Sequence, residues 1–285
     1  MKEYINFKRQ REIGEILSDT FKFIRLEYKP LFKALVRNAG LPFLVLLGAV
    51  AYYAATSTDF LMFTSASFMG GQFFLGFLFL LVTVLLYYGF LFGTVLNYIK
   101  SYIENQGEVD QDKIAEDVRS NLGGLVGLGV LSAVMIIIGV LCCVIPGIYL
   151  YVPLSLVFAL MIFKGMGISD SITESFSLIK GEWWMTFLTL IVINIIIYLI
   201  GVVFQVPLMI YMVFKGFTMT QEVSNGDLSG MFDWVYVTLN VIASAVQYIL
   251  YAVTVIASAF IYFNLNEKKN QTGTMEQIDN IGGNI

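Results

Sequence analysis

Histidine is absent from this 285-residue chain. Its absence removes the commonest general base and a favoured metal ligand, which excludes Ser-His-Asp catalysis, Cys-His catalysis and His-based zinc sites. The two cysteines, Cys142 and Cys143, are neighbours within an apolar run, so no further cysteine completes a redox or metal site. We therefore interpret the pair as small packing residues, and we predict no enzymatic activity, no catalytic residue, no cofactor and no metal ligand.

Charge is also scarce and unevenly spread. Charged residues make up 13% of the chain and hydrophobic residues 58%, whereas soluble domains average about 25% and about 45–50%. The formal net charge of −4 leaves no basic footprint, so no nucleic-acid partner is predicted. A charge at the centre of a bilayer costs about 2.5–3.5 kcal/mol. Membrane spans are therefore indicated by the stretches without Asp, Glu, Lys or Arg, which are 38–58, 60–99, 120–163, 183–214 and 234–266.

These apolar blocks predict an all-α polytopic membrane protein with six transmembrane helices. A helix of about 20 residues crosses a hydrocarbon core of about 30 Å. The fourth span follows Pro146-Gly147, which we interpret as a tight turn from the third. Residues 1–265 would form a single membrane domain, and the polar residues 266–285 a disordered cytoplasmic tail. The predicted spans are 31–56, 72–99, 123–145, 147–164, 184–214 and 232–265.

Lysine and arginine are distributed unevenly between the two sides of this six-span arrangement. Sixteen of the seventeen lie on the side that carries both termini, and only Lys215 lies on the other. Because loops rich in positive residues remain in the cytoplasm, the pattern predicts cytoplasmic N- and C-termini. We expect a multi-pass protein of the bacterial cytoplasmic (inner) membrane.

Three polar segments on the predicted cytoplasmic side carry apolar residues at helical spacing. They cover about 11–29, 110–122 and 168–181, and each leads into a span. Such segments are typical of amphipathic interfacial helices that lie among lipid headgroups. The first and third are also similar at an offset of 155, as in the match of Phe21 with Phe176. The match indicates an internal repeat of a surface helix and a helical hairpin, and shared helical patterning without common ancestry is the alternative.

The N-terminal segment holds more cations than any other. A cation near an anionic membrane surface contributes about 1 kcal/mol of attraction. The alternative is that these residues only determine topology. The candidate contacts for anionic lipid are Lys8, Arg9, Arg11, Lys22, Arg25 and Lys29.

No ionisable residue falls in the middle of a predicted span, so proton relays and charged ion sites lack their usual groups. Polar stripes inside a membrane line a path in some proteins and only join helices in others. Pro153 and Pro207 lie within spans and predict kinks or breaks, which occur at transporter sites and also in simple packing. The candidate intramembrane polar stripe consists of Asn194, Asn240, Ser244 and Gln247.

Two runs of residues resemble a known family. The run IPGIYLYVPLS at 145–155 is similar to the Pro-Gly turn and fourth span of the membrane domain attached to some bacterial glycerophosphodiester phosphodiesterases. The run SITESFSLIKGEWW at 171–184 is similar to the surface helix of that domain, and residues 13–32 resemble its opening helix. The likeness covers most of residues 10–265. It implies a membrane domain without phosphodiesterase activity, because the catalytic barrel, with its histidine and metal-binding carboxylates, has no counterpart in this sequence.

Two functions follow as hypotheses. The first is a scaffold or accessory module without catalytic activity, whose cytoplasmic face engages membrane lipid or membrane and cytoplasmic protein partners. The second is a transporter or lipid-translocating protein for a neutral or amphiphilic solute, based on the repeat, the two prolines and the polar stripe. A membrane enzyme is disfavoured, since the acidic loop 104–117 is the only cluster of reactive groups and is typical of a solvated surface.

Overall fold

A computed structural model describes residues 3–56, 71–219, 230, 232–273 and 275. Within these ranges the chain is helical, with connecting loops, and it is an all-α, multi-pass membrane protein. The helices are α1 (Ile13–Thr56), α2 (Gly71–Glu104), α3 (Gln111–Cys142), α4 (Val144–Leu154), α5 (Val157–Lys164), α6 (Ile168–Ile179), α7 (Trp183–Thr218) and α8 (Trp234–Asn270). Six segments are long and apolar enough to cross a membrane. They are α1, α2, α3, α4 together with α5, α7 and α8.

Two of the three predicted surface helices are continuous with the spans that follow them. Helices α1 and α3 run through the expected boundaries after residues 29 and 122 without a break. The third, α6, is separate from α7, and Gly181 between them has a φ of 90°. Only glycine adopts this conformation without steric cost. In the first copy of the repeat the equivalent residue is Leu26, and a leucine favours continuation of the helix.

The turn between the third and fourth spans lies at Cys143, before the predicted position. Cys143 is extended, with φ −172° and ψ 146°. Pro146 and Gly147 are not a turn but part of α4, and Pro146 lies in the first helical turn, where a missing N–H removes no helical hydrogen bond. Cys142 and Cys143 are both exposed, so their interpretation as packing residues is wrong.

The two intramembrane prolines have different outcomes. Pro153 lies at the end of α4, and the chain leaves α-helical geometry before α5 begins at Val157. Pro207 lies inside α7, which continues from Trp183 to Thr218. The predicted break is therefore present at Pro153, whereas Pro207 does not end its helix.

Gly147 lies where α4 comes closest to α3. A Cβ added to Gly147 would be 2.9 Å from the backbone nitrogen of Val140, and one added to Gly139 would be 3.0 Å from the Cα of Gly147. These atoms are backbone, so they cannot give way as a flexible side chain can. The two glycines permit the close helix approach that small residues provide in membranes.

Gly147→Ala is expected to destabilise the protein by about 1–3 kcal/mol, because the added methyl group overlaps backbone atoms. Thermal unfolding in mild detergent measures the change. Gly123→Ala is the matched control on α3, since a Cβ there meets nothing within 4 Å, and it should be neutral or stabilising by up to about 1 kcal/mol. An unchanged apparent Tm for G147A would contradict the close contact.

The chain divides into two compact units. The first consists of Met1–Ala39, Tyr88–Ile195 and Ala252–Ile285, and the second of Gly40–Tyr87 and Ile196–Tyr251. In the first unit, a cluster around Leu128, Leu154 and Val157 packs α3 against α4 and α5. In the second, the Tyr87 hydroxyl donates to the backbone oxygen of Tyr248 at 3.1 Å.

The repeat at an offset of 155 recurs in burial and in charge pairing within the first unit. The matched positions that are buried in both copies include Ile16 with Ser171, Thr20 with Ser175, Phe23 with Leu178, Leu31 with Thr186 and Ala34 with Thr189. Each copy also has an ion pair over ten residues, Arg9 with Asp19 at 2.8 Å and Lys164 with Glu174 at 2.7 Å. Shared helical periodicity alone does not account for an equivalent ion pair, so these observations favour a true repeat.

Candidate functional site

The N-terminal segment 3–12 forms part of the core of the first unit. The Phe7 side chain is fully buried. Its ring stacks on Phe260 with centroids 4.3 Å apart and meets Phe23 edge-on at 5.3 Å. The backbone N–H of Ile5 donates to the hydroxyl of Tyr102 at 3.0 Å. The segment is therefore held inside the protein, although its charge predicted a position among lipid headgroups.

Arg11 ends this segment as a buried cation. Its Nε donates to Oδ2 of Asp19 at 2.9 Å, and none of its side chain is exposed. Nη1 donates to the carbonyl oxygen of Phe7 at 2.7 Å, and Nη2 donates to that of Asn6. Burial lowers the pKa of Arg11, against the hydrogen bond and the charge of Asp19, which raise it. The prediction that Arg11 contacts lipid is wrong, because its donors are used inside the fold.

The end of α8 binds the N-terminal segment from the other side. The side-chain oxygen of Asn264 accepts from the backbone N–H of Arg11 at 2.7 Å. This bond joins residues 253 positions apart. The segment 3–12 is therefore ordered, unlike most segments near a chain terminus.

The beginning of the predicted disordered tail is instead ordered. Helix α8 continues to Asn270, and Glu267 is buried. The Glu267 carboxylate accepts from the backbone N–H of Gly273 at 2.7 Å, so it fixes the turn that follows the helix. The prediction is therefore wrong for 266–273, and residues 276–285 lie outside the described residues.

Glu27 is a fully buried carboxylate on α1. Its Oε2 accepts a hydrogen bond of 2.7 Å from the hydroxyl of Tyr98 on α2. Tyr98 lies against Phe23 in the same aromatic cluster, with ring centroids 6.3 Å apart. The first unit thus contains a packed aromatic core with buried charged groups, which the sequence did not reveal.

The remaining candidate lipid contacts differ in their surroundings. Arg9 pairs with Asp19, and Lys22 pairs with Glu3 at 2.6 Å. Lys8 is half-buried. Arg25 and Lys29 are exposed, and no carboxylate pairs with either of them in the described part of the chain. The exposed, unpaired cations are therefore fewer than the charge count suggested.

One face of α1 combines these cations with exposed aromatic rings. Phe21, Tyr28 and Phe32 are 40%, 56% and 60% exposed. We call this face the α1 surface, and its residues are Phe21, Arg25, Tyr28, Lys29, Phe32 and Lys33, all on the first unit. The spacing of four between Arg25, Lys29 and Lys33 places the three cations along one side of the helix. The sequence itself shows this spacing of four.

The residues of the predicted polar stripe lie in both units. Asn194 belongs to the first unit, where its amide donates to the hydroxyl of Tyr151 at 3.3 Å and to the carbonyl of Leu190 at 2.7 Å. Asn240, Ser244 and Gln247 belong to the second. A Cβ added to Gly201 on α7 would overlap the Gln247 side-chain oxygen, so this glycine makes room for the amide. The contacts of Asn194 and Gln247 are those of helix packing.

Asp233 joins α7 to α8 in the second unit. Its Oδ1 accepts from the backbone N–H groups of Val235 and Tyr236, both at 3.1 Å, and caps α8. Its Oδ2 lies 2.8 Å from the Lys215 ammonium and accepts from the Tyr211 hydroxyl. Burial opposes ionisation, but the hydrogen bonds from Lys215 and Tyr211 outweigh it and hold the pKa of Asp233 at about 2. Lys215, the single cation predicted on its side, thus has a structural partner.

Among the described residues, no group of three or more acidic, cysteine or histidine side chains is arranged to hold a metal ion. Comparison with known proteins finds no matching family model, no matching curated protein and no matching solved structure. The resemblance to the phosphodiesterase membrane domain therefore stays a prediction.

Proposed function

We propose that the chain is a non-enzymatic membrane protein, a scaffold or accessory module, that binds anionic lipid at the cytoplasmic face through the α1 surface. The observation that carries this proposal is the exposure of three cations beside three aromatic rings on a helix that continues into a span. Anionic lipid attracts such cations. Aromatic side chains favour the same headgroup layer.

The α1 surface suits headgroups better than a water-exposed role. Exposed Phe21 and Phe32 present apolar area to their surroundings, which is unfavourable in water and favourable at the boundary of the acyl chains. Arg25 and Lys33 have long stems that reach toward phosphates while their charge remains hydrated. Both kinds of residue on one face therefore point to one environment, the lipid interface.

The buried part of the N-terminal segment limits this proposal to the α1 surface. Arg11 and Asp19 pair with each other inside the fold. The charge of Lys22 is balanced by Glu3, so Lys22 has little charge left to attract lipid. An isolated peptide of the first 30 residues would lack the core that orders the segment. The test therefore uses the full chain.

Binding to phosphatidylglycerol and to phosphatidylcholine is measured by native mass spectrometry of the full chain in mild detergent. The wild type should prefer phosphatidylglycerol, and the preference should weaken as ionic strength rises. The triple variant Arg25→Gln, Lys29→Gln and Lys33→Gln should lose about 3 kcal/mol of attraction, or roughly two orders of magnitude in affinity. The matched control is the charge-retaining triple variant R25K, K29R and K33R, which should keep the preference.

Two results would contradict the proposal. The first is a neutral triple variant that keeps the preference for phosphatidylglycerol. The second is a charge-retaining variant that loses it, which would assign the effect to side-chain shape and not to charge. Unchanged helicity and apparent Tm in both variants establish that the fold is intact.

A further inference from the structure

A cavity of about 540 Å³, largely open to its surroundings, lies between α1 and α3 on the first unit. Sites for small molecules have volumes of about 300–1,000 Å³. Two cations and two carboxylates line the cavity, so its formal charge is zero. The lining residues are Arg37 of α1 and Asp112, Ala115, Glu116, Arg119 and Ser120 of α3.

Both arginines mark the place where charge ends along their helices. Arg37 directly precedes the charge-free stretch 38–58, and Arg119 directly precedes the stretch 120–163. Helices α1 and α3 are both long and apolar enough to cross a membrane beyond these residues. The cavity is therefore at the depth of lipid headgroups.

Two of the four charged groups form an ion pair. Nη2 of Arg37 lies 2.7 Å from Oδ1 of Asp112. Glu116 and Arg119 are exposed, and within the described ranges neither forms an ion pair. The cavity thus contains one cation, Arg119, and one carboxylate, Glu116, that are free to bind a ligand. The ion pair of Arg37 with Asp112 lies beside them.

We infer that this cavity binds the headgroup of phosphatidylethanolamine, a zwitterionic phospholipid with a primary ammonium group. The phosphate accepts charge-assisted hydrogen bonds from Arg37 and Arg119, and the ammonium donates to Asp112 and Glu116. A neutral lining matches a headgroup that carries one charge of each sign. This site is distinct from the α1 surface and does not depend on it.

The same chemistry discriminates against the other common headgroups. Phosphatidylglycerol has no ammonium group, so its glycerol hydroxyls can donate hydrogen bonds to Glu116 but bring no positive charge to it. Phosphatidylcholine has a quaternary ammonium group without N–H, so it cannot donate to a carboxylate. Loss of a hydrogen bond to a charged group weakens binding by about tenfold or more.

Binding of phosphatidylethanolamine and phosphatidylcholine to the full chain in detergent is measured by native mass spectrometry. The wild type should bind phosphatidylethanolamine about tenfold more tightly. Glu116→Gln keeps the size of the side chain and should bring this ratio close to one. Arg119→Gln should weaken both lipids by about tenfold, since both carry a phosphate. Glu108→Gln is the matched control, because Glu108 is exposed and outside the cavity, and it should change neither lipid.

A wild type that binds both lipids equally, or an E116Q variant that keeps the wild-type ratio, would overturn the inference. Water-soluble glycerophosphoethanolamine distinguishes a lipid from a free headgroup. If it displaced the lipid at an equal concentration, the site would belong to a soluble ligand and the assignment to phospholipid would be wrong. Retention of the phosphatidylglycerol preference in E116Q would show that the cavity and the α1 surface act separately, and its loss would contradict that separation.

Discussion

Phe7→Ala is expected to destabilise the protein by about 3–5 kcal/mol, which is the cost of removing a large aromatic side chain from a packed core. The Phe7 ring has no exposed surface and contacts Phe23, Tyr102, Phe260 and Phe263. Its loss leaves a cavity between elements from both ends of the chain. Thermal unfolding of the full chain in mild detergent should show an apparent Tm lower by roughly 10 °C.

The matched control for the buried Phe7 is Phe21, a phenylalanine whose side chain is exposed. Phe21→Ala removes the same atoms from an exposed position on α1 and should change the stability by less than about 0.5 kcal/mol. If the segment 3–12 were a loose headgroup binder, the two variants would unfold at the same temperature. Equal Tm values would therefore remove the N-terminal segment from the core.

The six spans could be predicted because they depend on a cost that is local in sequence. Placing a charge in the bilayer is unfavourable whatever the rest of the chain does. The stretches 38–58 and 120–163 can therefore be recognised as spans without knowledge of tertiary contacts. The break at Gly181 is local in the same sense, since a single φ angle determines it. The turn at Cys143 was missed because Pro146-Gly147 has the composition of a turn but also fits a first helical turn and a close helix contact.

The aromatic core could not be predicted because its contacts are distant in sequence. Asn264 accepts from Arg11 over 253 positions, and Tyr98 donates to Glu27 over 71. A count of charged residues treats Arg11 and Glu27 as solvated. Their hydrogen bonds to Asp19 and Tyr98 lower the cost of burying them. One local signal was present: Ile5 and Phe7 are large apolar residues in a segment that is otherwise polar.

The α1 surface and the cavity were only partly predictable. The excess of cations near the N-terminus was clear, but which of them are free depends on partners such as Asp19 and Glu3. The cavity forms because Arg37 and Arg119 lie close together on different helices. The sequence shows only that each arginine is the last charged residue before an apolar stretch. Tertiary structure therefore decides which cations of the basic N-terminal segment remain free on the α1 surface. It also decides which residues of α3 join Arg37 in the cavity.

Arg11→Met should destabilise the protein by about 3 kcal/mol, because it leaves the carbonyl oxygens of Asn6 and Phe7 without their charged donor, and an unsatisfied buried polar group costs about 1–3 kcal/mol. Both Arg9 and Arg11 donate to the same oxygen, Oδ2 of Asp19, at 2.8 Å and 2.9 Å. The Arg11 side chain has no exposed surface, whereas 46% of the Arg9 side chain is exposed. Two cations on one carboxylate oxygen thus differ mainly in burial.

Arg9→Met is the matched control, and it should cost less than about 1 kcal/mol because exposed ion pairs contribute little. Arg11→Lys separates charge from shape. A lysine keeps the positive charge, but its donors all sit on one nitrogen, whereas the guanidinium donates to Asp19, Phe7 and Asn6 from three separate nitrogens. We expect this variant to lie between the wild type and R11M in unfolding free energy. A lysine variant as stable as the wild type would mean that charge alone is required, and equal losses in R9M and R11M would show that burial of the Arg11 pair does not govern the stability of this core.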